Sequence, residues 1–147
     1  MPFYDTIHVT TKRHKLGTRR RVDDKEFIYL KGVGSTVVGS WVTFDEAGTT
    51  TLASANAQGR VAVAMAIVDA TTEFGWYQIY GSASAKALTA FADNGKVYLT
   101  STAGSVDDTD VAGDAVIGAV GRSAVNETTL LATFELNYPM VQDLAID

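Results

Sequence analysis

Residues 73 to 81 read EFGWYQIYG, nine residues that include four aromatic side chains, two glycines and one glutamine. Because alternate residues of a β-strand point to opposite faces, this stretch divides into two sets of side chains. One face would carry Trp76, Gln78 and Tyr80, and the other Tyr77 and Ile79. A half-buried strand has one polar face, whereas both faces here are bulky. We therefore expect a strand that is covered twice, by the domain's own core and by something else.

Further segments with the residue types and lengths of strands follow one another along the chain. The clearest are residues 26–31, 35–44, 60–69, 75–81, 96–101, 114–121 and 128–138. Runs rich in glycine, asparagine and aspartate separate them, and these residues favour tight turns. Seven or more short strands joined by turns predict an all-β fold, a compact β-sandwich or β-barrel of short antiparallel strands.

Three details of this prediction concern individual segments. In residues 61–67 large side chains alternate with alanines, which predicts a strand whose alanine face lies close to another layer. Residues 84–92 contain enough alanine for a short helix, although we favour a strand there. Pro139 follows the last strong strand and should end its ladder, since proline has no N–H to donate.

Positive charge is concentrated near the N-terminus. The formal net charge is −5, yet residues 1–21 hold six basic residues and one acidic residue. The basic residues are Lys12, Arg13, Lys15, Arg19, Arg20 and Arg21. The rest of the chain contains six basic and sixteen acidic residues. We therefore divide the sequence into an extended basic N-terminal arm, residues 1–25, and a single all-β domain, residues 26–147.

The sequence offers little reactive chemistry. It has no cysteine, and its two histidines, His8 and His14, both lie near the N-terminus, where surface contacts suit them better than catalysis. No phosphate-binding loop, dinucleotide fingerprint or nucleophile elbow is present. The acidic cluster in residues 107–114 lacks the spacing of a calcium loop. We expect neither an enzyme nor a cofactor or metal site.

Three roles are open for the basic arm. It could dock on an acidic protein surface, form a solvated or strand-flanking segment, or contact nucleic acid phosphates together with stacking aromatics such as Trp76 and Tyr77. The acidic remainder of the chain would repel a polyanion, so we favour protein docking and consider nucleic acid a less favoured partner. No window is long and apolar enough for a membrane span, and we expect no membrane partner.

The order of several motifs adds a further indication. An apolar strand ending in Ala-x-Ala is followed by a Gly-Trp-x-Gln-x-x-Gly strand, the run VYLTSTAG, a glycine turn and a closing aliphatic strand. These motifs occupy residues 64–66, 75–81, 97–104, 113–118 and 129–136. In this order they resemble the small all-β capsid-associated proteins of tailed bacteriophages, and the resemblance covers residues 26–140.

This resemblance implies a capsid decoration protein, which binds the outer surface of the phage head and stabilises the capsid. Such proteins typically form trimers at threefold and quasi-threefold positions. The implied partners are the major capsid protein and further copies of the chain. The implied location is the virion surface, after synthesis in the host cytoplasm.

The resemblance also assigns expected roles to residues. We expect the six basic residues of the arm to bind the capsid, while Trp76, Gln78 and Tyr80 form the oligomer interface. In an alternative interpretation the aromatic residues belong only to the domain's own core. Two alternative functions remain: another virion component, such as a head fibre base, a tail part or a host-adhesion module, and a nucleic-acid-binding β-barrel.

Overall fold

The computed structural model describes residues 10–141 of the chain. In this range the chain forms ten β-strands and no helix, which confirms the predicted all-β fold. The strands are β1 Arg19–Val22, β2 Lys25–Lys31, β3 Trp41–Phe44, β4 Thr50–Leu52, β5 Gly59–Ala64, β6 Phe74–Lys86, β7 Lys96–Leu99, β8 Val106–Asp107, β9 Ala115–Gly121 and β10 Leu131–Val141. Accordingly, the described part has no helix that could cross a membrane.

The strands belong to one antiparallel sheet. Its main order is β1-β2-β6-β5-β10-β9-β7-β8, and β3 pairs with both β4 and β5. β6 and β10 are long, with 13 and 11 residues. The first half of β6 pairs with β2 and β5, and its second half pairs with β10. Since β10 also pairs with β5, each of these three strands pairs with the other two.

Both faces of β5 are buried. Val61 and Val63 belong to the largest hydrophobic cluster, which also contains Phe134 of β10. Ala62 and Ala64 belong to a second cluster that β5 shares with β2, β3 and β6. The small alanine side chains therefore lie against a second layer, as the alternation of large and small residues predicted.

Several strands differ in length from the sequence-based expectation. Residues 35–40 form turns instead of a strand, because Ser35 and Gly39 have backbone φ angles of 71° and 91°, outside the range of extended backbone. β5 ends at Ala64, so the segment expected at residues 60–69 is shorter. β6 continues to Lys86 and a turn follows, so no helix forms at residues 84–92.

The expectation that Pro139 ends the last ladder is wrong. β10 continues to Val141, and its register to β9 shifts between Leu136 and Met140. Tyr138 has a φ of 49°, so the backbone leaves the extended conformation just before the proline. An irregularity of this kind removes the need for an N–H at one position, and bulges are where strands accommodate proline.

Candidate functional site

A third, smaller hydrophobic cluster contains aromatic side chains from one face of β2 and β6. Phe27 and Tyr29 come from β2 and Trp76 from β6, and all three are buried. The ring centroids of Tyr29 and Trp76 lie 5.1 Å apart at an interplanar angle of 62°. Aromatic pairs favour this edge-to-face arrangement. This cluster, called the aromatic cluster below, lies on the strand face for which a second cover was expected.

The second cover is the chain's own N-terminal segment. Leu16 packs against the aromatic cluster. The His14 ring centroid lies 5.0 Å from that of Tyr29 and 5.1 Å from that of Trp76. The Arg20 guanidinium carbon is 5.6 Å from the Trp76 ring centroid, within the range of a cation–π interaction. Residues of the basic run therefore help to close the aromatic cluster.

Half of the basic run belongs to the sheet. β1 and β2 form an antiparallel hairpin whose last paired residues are Val22 and Lys25. Successive side chains of β1 alternate between faces. Arg20 therefore lies on the side of the aromatic cluster, while Arg19 and Arg21 lie on the opposite side. Three of the six predicted capsid-binding cations are thus fixed on a strand.

The structure also shows contacts between the predicted arm, residues 1–25, and the predicted domain, residues 26–147. Lys25 is the first residue of β2, and residues 14–22 already pack on the sheet. The high charge of β1 does not prevent its pairing with β2, because its long side chains can reach solvent. Leu16, within the basic run, and Val22, directly after it, are the apolar residues that pack on the aromatic cluster.

A polar network on the opposite face ties the hairpin to β10. Arg21 Nη1 donates to Glu26 Oε1 at 3.2 Å, and Arg19 Nη1 lies 3.7 Å from Glu26 Oε2. The Tyr138 hydroxyl donates to Glu26 Oε1 at 2.5 Å, which raises the pKa of Tyr138 above its usual value. The Arg21 guanidinium carbon also lies 4.8 Å from the Tyr80 ring centroid. Contacts on both faces therefore hold the hairpin in place.

The six predicted capsid-binding cations are all exposed, but their surroundings differ. Arg19 and Arg21 already face the carboxylate of Glu26. Lys12 and Lys15 form no ion pair with any residue between positions 10 and 141. The two lysines therefore carry positive charge that no described carboxylate offsets, and a partner can use that charge.

The residues expected at the oligomer interface do not share one environment. Trp76 is 3% exposed and Gln78 1% exposed within the single chain. Gln78 Nε2 donates to the backbone oxygens of Tyr80 and Ser82, each at 2.9 Å. The side-chain amide nitrogen therefore has both of its hydrogen-bond acceptors within β6. Tyr80 is half-buried. A second copy could reach Trp76 or Gln78 only if their present cover moved.

Two carboxylates of the acidic cluster in residues 107–114 accept hydrogen bonds from backbone N–H groups. The buried carboxylate of Asp114 accepts a hydrogen bond from the Asn56 N–H at 2.8 Å, and Asp108 accepts one from the Ala92 N–H at 2.9 Å. Each of these bonds connects the cluster to a distant loop. Between residues 10 and 141 no group of three or more potential ligand side chains could hold a metal ion.

The structure describes one of the two histidines, His14. His8 lies outside the described residues. His14 is half-buried between aromatic rings of β2 and β6. Its neighbours are therefore the rings of Tyr29 and Trp76, which offer packing contacts.

Comparison with protein-family models, with curated proteins and with solved structures found no match to this chain. The observations that bear on function are therefore the residues of the chain and the geometry described above.

Proposed function

We propose that this protein decorates the head of a tailed bacteriophage, binding the outer surface of the shell and stabilising the capsid. The observation that carries the proposal is the placement of the six basic residues at positions 12–21. They are exposed, and the segment that bears them is folded onto an all-β body. The motif order in residues 26–140, which resembles that of capsid-associated proteins, supports the same function.

A folded basic segment suits binding to a large acidic protein surface. An unstructured arm would lose conformational entropy when it docked. Here pairing of β1 with β2 and packing of Leu16 fix much of the segment before a partner binds. The partner that fits this charge distribution is a carboxylate-rich surface of the major capsid protein.

Stabilisation of the capsid follows from mass action. A protein that binds assembled shell subunits but not separated ones shifts the equilibrium toward the assembled shell. If several linked copies contact neighbouring subunits, each further contact is made at a high effective concentration. A modest interface for each copy is then sufficient, so the fold needs no deep binding pocket for this task.

The proposal can be tested with purified protein and expanded heads that lack it. We expect saturable binding that weakens as salt is added, because exposed charges are screened over about 10 Å at 0.1 M salt. The decorated heads should resist heat better than bare heads, because binding favours the assembled shell. Failure to bind heads under low-salt conditions would contradict the proposal.

The test also separates the alternative functions. Binding to tails or to host cells, with none to heads, would favour another virion component. Tight, salt-sensitive binding to DNA would favour the nucleic-acid-binding alternative. Both assays use the same preparation of the protein, so the three outcomes can be compared directly.

The two lysines identify the variants for this assay. Lys12→Gln combined with Lys15→Gln should weaken head binding roughly fivefold and leave folding unchanged, since exposed ion pairs contribute little to stability. Lys86→Gln combined with Lys96→Gln removes the same charge from the end of β6 and the start of β7, neither of which pairs with β1, and is the matched control. Equal losses for both pairs would show that only net charge matters and would reject docking through the basic segment.

A further inference from the structure

A groove opens beside the second hydrophobic cluster. Its volume is about 570 Å³, and Ile28 and Leu30 of β2 and Phe44 of β3 line it. Ile28 and Leu30 belong to the cluster, and Phe44 packs against it. The groove is therefore the place where apolar side chains of this cluster meet the surface, and an apolar occupant would remove them further from water.

Two arginines line the groove from different strands. Arg19 comes from β1 and Arg60 from β5. Arg60 is exposed and forms no ion pair with any residue in the range 10–141. Arg19 lies 3.7 Å from Glu26, but a guanidinium group has five N–H donors, so it can also bind a second carboxylate. The groove thus combines an apolar lining with two positive charges.

Two carboxylates also line the groove, both in the turn after β3. Asp45 Oδ1 accepts hydrogen bonds from the Ala47 and Thr49 N–H groups, each at 3.0 Å, so its own turn already uses this carboxylate. Glu46 follows it in the same turn. The negative charges are therefore gathered in one turn, whereas the arginines lie on strands. An acidic occupant would place its carboxylates beside β1 and β5.

The last described strand ends beside this groove. Val141, the final residue of β10, pairs with Gly59, and both Gly59 and Gln58 line the groove. Because β5 and β10 are antiparallel, β10 is directed along β5 toward Gln58 at its end. The six residues that follow Val141 in the sequence are therefore attached next to the groove.

The composition of these six residues matches that of the groove. Residues 142–147 read QDLAID, with the apolar side chains Leu144 and Ile146, the acidic side chains Asp143 and Asp147, and no basic residue. Six extended residues span at most about 20 Å, enough to reach across a groove of this size. A segment attached beside its binding site is present there at a high effective concentration, so weak contacts suffice to hold it.

We propose that residues 142–147 bind in this groove of the same chain. The two apolar side chains of the segment pack on the apolar lining, and its two aspartates pair with Arg19 and Arg60. The segment then connects β5 with β1, so it gives the basic hairpin a second attachment besides its pairing with β2. The proposal concerns contacts within one chain and does not depend on whether that chain binds phage heads.

Nuclear magnetic resonance spectroscopy of the full chain tests the contact directly. We expect nuclear Overhauser effects between the methyl groups of Leu144 or Ile146 and the ring protons of Phe44, since such effects arise only between protons in close contact. Absence of every such effect, with methyl signals at the positions of an unfolded peptide, would overturn the proposal. Effects that occur only between a labelled and an unlabelled copy in a mixed sample would also overturn it, because a second copy would then be the occupant.

Two double variants measure what the contact contributes. Leu144→Asp combined with Ile146→Asp adds two negative charges and removes both apolar side chains. We expect amide hydrogen exchange in β1 to accelerate at least about fivefold, because the hairpin loses its second attachment. Gln142→Asp combined with Ala145→Asp adds the same charge but keeps both apolar side chains, and this matched control should exchange like the parent. Unchanged exchange in the first variant, or equal acceleration in both, would contradict the proposal.

Discussion

The two faces of β6 are both covered, but by very different parts of the chain. The Tyr77 face packs into a cluster with residues of β2, β3 and β5, strands that are each fixed by their own pairing. The Trp76 face is closed in part by residues 14–22, which pair with the sheet only through β2. Residues 14–22 can therefore detach as a unit at a lower free energy than the global unfolding of the domain.

This difference matters for function because the segment that covers the Trp76 face also carries most of the basic residues of the arm. In the proposed role the partner contacts residues 12–21, the same part of the chain that closes the aromatic cluster. Binding of a partner there and burial of Trp76 are therefore coupled through one segment. The variants below measure how unequal the two faces are, beginning with the largest expected effect.

Tyr77→Ala should have the largest effect on stability. Tyr77 is fully buried, and the strands around it are fixed by their own pairing, so they cannot collapse into the cavity. We expect the free energy of unfolding to fall by about 3–5 kcal/mol in urea denaturation. A loss typical of surface residues would contradict the assignment of this face to the main core.

Trp76→Ala should cost less, about 2–3 kcal/mol, although tryptophan is the larger side chain. The reason is that the segment covering Trp76 pairs only with β2, so it can move into the cavity that the substitution leaves. The same urea experiment provides the comparison. A loss equal to or greater than that of Tyr77→Ala would break the distinction between the two faces.

The stability of the protein should decrease in alkali. Burial raises the pKa of the Tyr77 hydroxyl well above its ordinary value. A raised pKa in the folded state means that stability is fully present below about pH 10, the pKa of an unfolded tyrosine, and is lost as the pH rises further. The loss should be about 1 kcal/mol for each pH unit above that value.

Tyr77→Phe is the control for this pH dependence. Phenylalanine keeps the buried ring and removes the titrating group. We expect the variant to lose less stability than the parent between pH 10 and pH 11, as measured by urea denaturation at each pH. Identical pH profiles would show that Tyr77 is not responsible.

Arg20→Gln should have the smallest effect. It removes the cation that lies over Trp76, at an exposed position, and should lower the free energy of unfolding by about 0.5–1 kcal/mol. Arg20→Lys keeps a positive charge, and its free energy of unfolding should lie between that of Arg20→Gln and that of the parent. If Arg20→Gln is as stable as the parent, the contact with Trp76 does not contribute to closing the cluster.

Local patterns allowed much of the fold to be predicted. Alternation of side chains identified the strands around Tyr77 and Phe134, and the alanines of β5 correctly indicated a close layer. Local patterns failed where the backbone departs from the extended conformation. Ser35 and Tyr138 both have positive φ angles, and neither serine nor tyrosine is a residue type that favours them. The turns at residues 35–40 and the bulge beside Pro139 therefore could not be read from residue types.

The candidate site was harder to predict than the fold. The sequence correctly indicated that both faces of β6 around Trp76 are covered, but not that the chain's own N-terminal segment covers the Trp76 face. That cover depends on pairing between β1 and β2 and on contacts of Leu16 with a distant loop, where its side chain lies against Gly48. The concentration of charge in residues 12–21 indicated an extended basic arm and gave no weight to Leu16, the apolar residue between the charges.

The central claim is that residues 12–21 form a folded basic surface that faces the phage shell. It is tested most directly by electron cryomicroscopy of expanded heads incubated with the purified protein. We predict added density on the outside of the head, where shell subunits meet, with the β1–β2 hairpin toward the shell. Heads without added density, or density with the hairpin pointing away from the shell, would contradict the claim.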